Sequence, residues 1–168
     1  MEYNEVEGNL ITLAQEGNFD VIAHGCNCFC TMGAGLAPQM AEAFGCRNFH
    51  YEGRRYKGWY NKLGIIDFQW TALDNSSWDF DQTADCPLAV VNCYTQYDMG
   101  PDENGVPPLN YTALALCFDK MNQIFKGKHI GLPQIGCHLA GGSWPAVKAL
   151  IQKKFKDCDV TVVIYKPN

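Results

Sequence analysis

Two glycine-rich segments constrain the fold of this 168-residue chain more than any other feature. They read AHGCNCFCTMGAGLA at 23–37 and LPQIGCHLAGGSW at 132–144. Each follows an apolar, strand-like run and leads into a helical pattern. This order brings backbone N–H groups and the positive end of a helix dipole to one point, which favours an anion such as phosphate. Two such loops in one domain indicate a diphosphate, although each alone is compatible with a plain strand-to-helix connection.

Strand and helix patterns alternate along the chain, which predicts one α/β domain over residues 1–168. We expect strands at Met1–Glu7, Phe19–Cys26, Gly64–Trp70, Trp70–Phe80, Pro87–Tyr94, His129–Leu132 and Val160–Tyr165. We expect helices at Gly35–Phe44 (with Gly45 after its end), Leu109–Phe125 and Trp144–Phe155. Crossover connections predict a mixed, mostly parallel sheet between helical layers, with a ligand beyond the carboxyl ends of the strands.

Composition argues against several classes of function. The formal net charge is −5 and the 13 Lys and Arg residues are scattered, which disfavours a nucleic-acid-binding surface. No apolar run approaches the roughly 18 residues of a membrane span. Nine cysteines, several inside apolar runs, follow a polar and acidic start at residues 1–9. We therefore expect a cytoplasmic, monomeric protein with reduced thiols.

Polar side chains lie beside both glycine segments. His24 and Asn27 are at the end of the second predicted strand, and His138 is inside the second loop. Imidazole titrates near neutral pH, so either histidine can act as an acid or a base. Asn27 offers a donor and an acceptor, which suits the hydroxyls of a ribose. A hydrogen-bonded strand-end histidine and a loop-capping asparagine are the alternatives for His24 and Asn27.

The cysteines do not form a metal-binding pattern. Cys26, Cys28 and Cys30 alternate close to His24, but no CxxC pair occurs in the chain. No C-x₅-R phosphatase motif surrounds any cysteine. We therefore predict no metal and no cofactor. The aromatic tracts within 46–80 are expected to pack against the protein rather than to stack on nucleic-acid bases, and the role of this insert stays open.

Four segments in order carry a resemblance to a known family: EVEGNLI (5–11), DVIAHGCNCFCTMGAGLA (20–37), VVNCYTQ (90–96) and LPQIGCHLAGGSWPAVKALI (132–151). They resemble the macrodomain family, and within it the ADP-ribose 1″-phosphate phosphatase type and the related terminal ADP-ribose glycohydrolases. The resemblance implies a three-layer α/β/α sandwich whose ligand is ADP-ribose or ADP-ribose 1″-phosphate.

The resemblance also implies roles for individual residues. Asn9 stands where the family usually carries an aspartate that accepts from the adenine amino group. Leu10 is expected against the base, Tyr165 is expected to stack on it, and Asn27 is expected at the distal ribose. The remaining implied ligand residues are Met32, Gly33, Ala34, Gly35, Leu36, Thr95, Gln96, Gln134, Gly136, Cys137, His138, Leu139, Ala140, Gly141 and Gly142.

The chain departs from the glycohydrolase pattern at two places. Those enzymes use a lysine on the strand-end segment, where this chain has Thr95 and Gln96, and an aspartate in the second loop, where Ala140 stands. We therefore predict a metal-independent hydrolase that converts ADP-ribose 1″-phosphate to ADP-ribose and phosphate, with His24 or His138 as the acid or base. A non-catalytic ADP-ribose reader and a glycohydrolase acting on modified macromolecules are the alternatives.

Overall fold

The computed structural model describes residues 1–30, 35–45, 58–73 and 86–166. Within these ranges the strands are β1 (Tyr3–Gly8), β2 (Val21–Asn27), β3 (Ile66–Thr71), β4 (Leu88–Gln96), β5 (His129–Leu132) and β6 (Asp159–Tyr165). The α-helices are α1 (Leu10–Gln15), α2 (Ala37–Phe44), α3 (Tyr111–Ile124) and α4 (Trp144–Lys154), and a 3₁₀ turn covers Tyr60–Lys62.

The six strands form one sheet in the order β1-β6-β5-β2-β4-β3. Every neighbouring pair is parallel except β3 with β4, which is antiparallel. The prediction of a mixed, mostly parallel sheet is confirmed. Because five strands run the same way, their carboxyl ends meet at one edge of the sheet, where ligands of such folds bind.

Side chains alternate between two apolar cores, one on each face of the sheet. Val21 of β2 points into a core with Phe118 of α3 and Ile151 of α4. Its neighbour Ile22 points into the opposite core, with Met40 of α2. Strands covered on both faces are apolar throughout, which is why β2 and β4 read as continuous hydrophobic runs. Helices on both faces give the expected three-layer α/β/α sandwich.

The sequence did not predict α1, a helix of six residues. It begins where the Asn9 Oδ1 atom accepts hydrogen bonds from the Ile11 and Thr12 amides, at 3.0 and 3.2 Å. An asparagine that satisfies two amides at a helix start is a standard N-cap. So short a helix shows fewer than two turns of apolar periodicity, and the sequence pattern therefore missed it.

The predicted strand at Trp70–Phe80 is wrong where it can be compared. Trp70 and Thr71 continue β3, so no second strand begins at Trp70. Residues 74–80 of that prediction, like most of the aromatic insert, lie outside the described residues. The boundaries of the other predicted strands and helices agree with the structure to within about two residues.

The sequence predicts reduced thiols and no membrane span. No cysteine in those ranges forms a disulfide. None of the helices described there is both long and apolar enough to cross a bilayer.

Gly142 closes the connection between β5 and α4. Its amide donates to the Gly136 carbonyl at 2.7 Å, so the loop folds back on itself. A Cβ atom at Gly142 would lie 2.6 Å from that carbonyl oxygen and would overlap the Leu109 Cδ2 atom. Backbone on one side and a core side chain on the other leave space only for glycine.

We expect Gly142→Ala to lower the free energy of unfolding by about 2 kcal/mol, because the added methyl group overpacks a closed loop. Gly100→Ala is the matched control, since a Cβ atom there meets nothing within 4 Å. That control is expected to change the unfolding free energy by less than about 0.5 kcal/mol. Urea denaturation of both variants measures the difference, and equal stabilities would contradict the packing described for the loop.

Candidate functional site

A cavity of about 150 Å³ opens at the carboxyl ends of β2, β4 and β5. Both glycine segments contribute to its walls, which confirms that the two loops share one pocket. The residues of the sequence-predicted site that line it are His24, Asn27, Gly35, Leu36, Gln96, Gln134, Gly136, His138, Leu139 and Ala140. Further lining residues, which sequence reasoning did not assign, include Cys26, Met99 and Ile135.

Other predicted residues lie elsewhere. Thr95 is fully buried, and Cys137, Gly141 and Gly142 shape the second loop without lining the cavity. Met32, Gly33 and Ala34 lie outside the described residues. The three residues expected at an adenine, Asn9, Leu10 and Tyr165, are also absent from the cavity lining.

The residues expected at an adenine lie at the carboxyl ends of β1 and β6. Tyr165 is opposite Gly8 in the register of the two strands and its side chain is 62% exposed. Leu10 is buried in the core beneath α1. The oxygen of Asn9 is bonded to the first amides of that helix. Among these residues, Tyr165 presents the open aromatic surface.

The second loop carries unpaired backbone donors. In the described part of the chain, the amides of Gly136, His138, Leu139 and Ala140 make no hydrogen bond, and all four residues line the cavity. The Gly141 amide, by contrast, donates to the His138 carbonyl at 3.1 Å. Successive backbone N–H groups in a turn are the donors that anion-binding concavities of proteins use.

The first loop adds the start of a helix. Gly35 has a φ of 68°, a conformation that glycine adopts without strain, and it turns the chain into α2. Gly35, Leu36 and Ala37 line the cavity, and no side chain caps the first turn of this helix. Pro38 in this turn has no N–H group, so the amides of Leu36 and Ala37, together with the helix dipole, are the donors available to an anion in the same cavity.

His24 lies in the interior wall of the cavity, with 1% of its surface exposed. Its Nε2 atom is 2.5 Å from the Asn92 Oδ1 atom, directly opposite on β4. Burial lowers the pKa of His24 to about 4, against a smaller opposing effect of the bond to Asn92. The imidazole is therefore neutral at pH 7. It can accept a proton there but has none of the acidity of an imidazolium.

Asn92 continues into a polar network, half-buried at Asp67, that the sequence analysis did not assign. Its Nδ2 atom donates to Asp67 Oδ1 at 2.7 Å, and the Tyr94 hydroxyl donates to Asp67 Oδ2 at 2.6 Å. Burial and then the Asp67 charge raise the pKa of Tyr94 far above its usual value. The sequence contains one sign of this network, because Asn92 is a polar residue within the apolar run Leu88–Tyr94.

Asn27 has part of its side chain committed to the loop. Its Oδ1 atom accepts from the Phe29 amide at 3.0 Å, and a register shift between Cys26 and Asn27 marks the end of regular pairing. The side-chain oxygen of Asn27 therefore caps the loop, as the alternative interpretation from the sequence predicts. Asn27 is also part of the cavity wall, so it supports the loop and faces the pocket at once.

The remaining polar groups are at the rim. His138 is exposed, and the Gln96 Nε2 atom donates to the Asp98 carbonyl at 2.7 Å. The described lining contains no Asp, Glu, Lys or Arg. Among the described residues no cluster of three histidine, cysteine or carboxylate side chains could hold a metal ion. The site thus offers backbone donors, amides and two imidazoles.

Comparison with curated proteins finds similarity to a phage protein whose name describes it as "uncharacterized". No family model matches the chain. A 17.5 kDa protein from the tk-vs intergenic region of Enterobacteria phage T4 is 28% identical over 166 residues, covering 96% of both chains.

Solved structures resemble the chain over nearly its whole length. A Bacteroides thetaiotaomicron protein of unknown function superposes with a TM-score of 0.72 at 24% identity, covering 98% of each chain. The macrodomain of Mycobacterium tuberculosis DarG superposes with a TM-score of 0.62 at 16% identity, covering 99% of this chain and 98% of that one. Thermosipho africanus DarTG in complex with ADP-ribose gives 0.64 at 17% identity, over 99% of this chain and 42% of that one. The strand order, the layers and these superpositions together show that the chain has the macrodomain fold.

Proposed function

We propose that this protein binds ADP-ribose and hydrolyses ADP-ribose 1″-phosphate to ADP-ribose and inorganic phosphate without a metal ion. The observation that carries the proposal is one cavity that combines two sets of unpaired backbone amides with a buried, neutral histidine. The amides suit phosphate groups, and the histidine suits proton transfer.

The charge of the site supports an anionic ligand. Although the chain carries a net charge of −5, the described cavity lining contains no carboxylate. A diphosphate would therefore meet amide dipoles and the start of α2 without a nearby negative side chain. Thermosipho africanus DarTG, solved in complex with ADP-ribose, superposes on 99% of this chain over 42% of its own. We assign the diphosphate to Gly35–Ala37 and Gly136–Ala140.

The adenine end is assigned to the neighbouring strands. Tyr165 is exposed at the end of β6, and its ring can stack on a base. Leu10 supports this region from the core side. Because Asn9 already caps α1, recognition of the adenine amino group would compete with the cap for the same oxygen. We therefore assign weaker selectivity for adenine to this chain than an aspartate would give.

The proposed chemistry uses water as the nucleophile. Neutral His24 takes a proton from a water molecule, whose oxygen attacks phosphorus, and the bond between phosphorus and the 1″ oxygen breaks. That oxygen takes a proton from His138 or from solvent and leaves as the 1″ hydroxyl of ADP-ribose. The unpaired amides of the second loop stabilise the charge that develops on the phosphoryl oxygens. Asn27 orients the distal ribose.

A non-catalytic ADP-ribose reader is the second candidate. The deep burial of His24 favours it, because a group with 1% of its surface exposed has limited access to a substrate. Glycohydrolase chemistry is disfavoured, since the described cavity lining contains neither a lysine nor a carboxylate. Phosphate release separates the phosphatase from the reader, and mass spectrometry of a modified macromolecule separates both from the glycohydrolase.

Leu139→Glu tests the binding site. The side chain of Leu139 is 65% exposed in the cavity wall, so a carboxylate there would repel a bound diphosphate. We expect a loss of about 1 kcal/mol in ADP-ribose affinity, or roughly fivefold in Kd. Leu139→Gln has nearly the same size without the charge and should retain affinity. Calorimetry measures both, and equal affinities would place the phosphates elsewhere.

His24→Gln tests the enzyme. Incubation with ADP-ribose 1″-phosphate in EDTA should release phosphate from the unaltered protein, and the variant should lose about 100-fold or more of the rate. His129→Gln is the matched control, because His129 lies on β5 outside the cavity lining and bonds to Thr161. If the unaltered protein binds ADP-ribose but releases no phosphate, the non-catalytic ADP-ribose reader remains as the function.

The pH dependence of kcat/KM tests which group is the base. The pKa of His24 is lowered to about 4, so its proton-accepting form persists as the pH falls from 7 to 5. We expect the rate to keep most of its value over this interval and to fall near pH 4. A half-loss close to pH 6.5 would instead indicate an imidazole with an ordinary pKa as the base.

A further inference from the structure

The contact with Asp67 determines which way the side-chain amide of Asn92 points. An ionised carboxylate only accepts hydrogen bonds, so the Asn92 atom 2.7 Å from Asp67 Oδ1 is the NH₂ group. The Tyr94 hydroxyl donates to the other oxygen of the same carboxylate, at 2.6 Å. Asp67 is therefore held as an acceptor at both oxygens, and the carbonyl oxygen of Asn92 is directed to His24.

The orientation of Asn92 in turn determines the proton position on His24. A carbonyl oxygen 2.5 Å from Nε2 requires a proton on that nitrogen. The Cys26 Sγ atom lies 3.7 Å from the same oxygen and 3.9 Å from Nε2, so the tautomer follows from the much shorter contact between His24 and Asn92. In a neutral imidazole with the proton on Nε2, the Nδ1 atom carries a lone pair. That Nδ1 atom is buried and has no hydrogen-bond partner in the described structure.

We propose, building on the ADP-ribose function above, that Asp67 and Asn92 are positioning residues that hold His24 as the Nε2–H tautomer. The Nδ1 atom then serves as the hydrogen-bond acceptor for a hydroxyl or a water molecule in the cavity. This arrangement selects the group that binds beside His24. A water molecule or a ribose hydroxyl can donate to Nδ1, whereas an unprotonated phosphate oxygen cannot.

The cavity then has two zones that bind different chemical groups. Phosphate oxygens belong to the backbone donors of the second loop (Gly136, His138, Leu139 and Ala140), and a hydroxyl-bearing group belongs to His24 in the β2 wall. For phosphate hydrolysis, the donor at Nδ1 is the attacking water. For a reader, the donor is a hydroxyl of the distal ribose. The tautomer is the same in both, so its test does not depend on turnover.

Nuclear magnetic resonance of ¹⁵N-labelled imidazole rings tests the tautomer in the free protein at pH 7. We expect the His24 resonances, identified by their absence in His24→Gln, to show a protonated Nε2 and a pyridine-type Nδ1. Asn92→Leu and Asp67→Asn remove the acceptor or the orientation of the amide, and both should shift the pattern toward mixed tautomers. Tyr94→Phe is the matched control, since it leaves the contact between Asn92 and Asp67 in place.

An Nδ1–H tautomer in the unaltered protein, or an unchanged pattern in both Asn92→Leu and Asp67→Asn, would overturn the assignment. If one of these variants does not fold, the resonances of the other variant decide whether Asp67 and Asn92 hold the tautomer.

Addition of ADP-ribose tests the acceptor role. The Nδ1 resonance should move away from its unbonded position on saturation, and inorganic phosphate alone should leave it in place. Calorimetry on the same sample reports binding separately. If ADP-ribose binds and Nδ1 does not move, the acceptor role is wrong while the proposed function stands. If ADP-ribose does not bind, the proposed function and the acceptor role fail together, and the tautomer is still decided by the free protein.

Discussion

The parallel pairing of β2 between β4 and β5 is the constraint on which the site depends. It brings the ends of three strands, and the loops that follow two of them, to one edge of the sheet. The two glycine segments are more than a hundred positions apart in the chain, yet they line one cavity because of this pairing. The small residues of the second loop then allow it to fold tightly against Leu109.

The same pairing places polar side chains inside the sheet. His24 and Asn92 are opposite each other on neighbouring strands, and Asp67 is opposite Asn92 on the edge strand. Buried polar groups persist when they are hydrogen bonded to one another, and these three residues form such a chain. One nitrogen of His24 remains unsatisfied. His24 lines the cavity, and a buried acceptor without a partner costs free energy that a hydrogen-bond donor would recover.

Burial also changes what each predicted residue can do. From the sequence, His24 and His138 are equivalent imidazoles near two loops. In the structure one is neutral and enclosed, and the other is exposed at the rim. The resemblance predicts ligand contacts for Asn9 and Asn27, whereas the side-chain oxygens of both accept hydrogen bonds from nearby backbone amides. Sequence motifs therefore indicated residues that line one cavity, but they could not assign the hydrogen bonds of those residues.

The amino-acid pattern predicts the α/β class, most of the strands and longer helices, and the meeting of the two glycine loops. Hydrophobic runs and glycine positions are local properties, so they can be recognised along the chain. The sheet order, the six-residue helix capped by Asn9, and the contact between Asp67, Asn92 and His24 emerge only from the folded chain. Those three residues belong to three different strands, and their hydrogen bonds depend on inter-strand register. Register is set by packing of the whole sheet and cannot be deduced from any single segment.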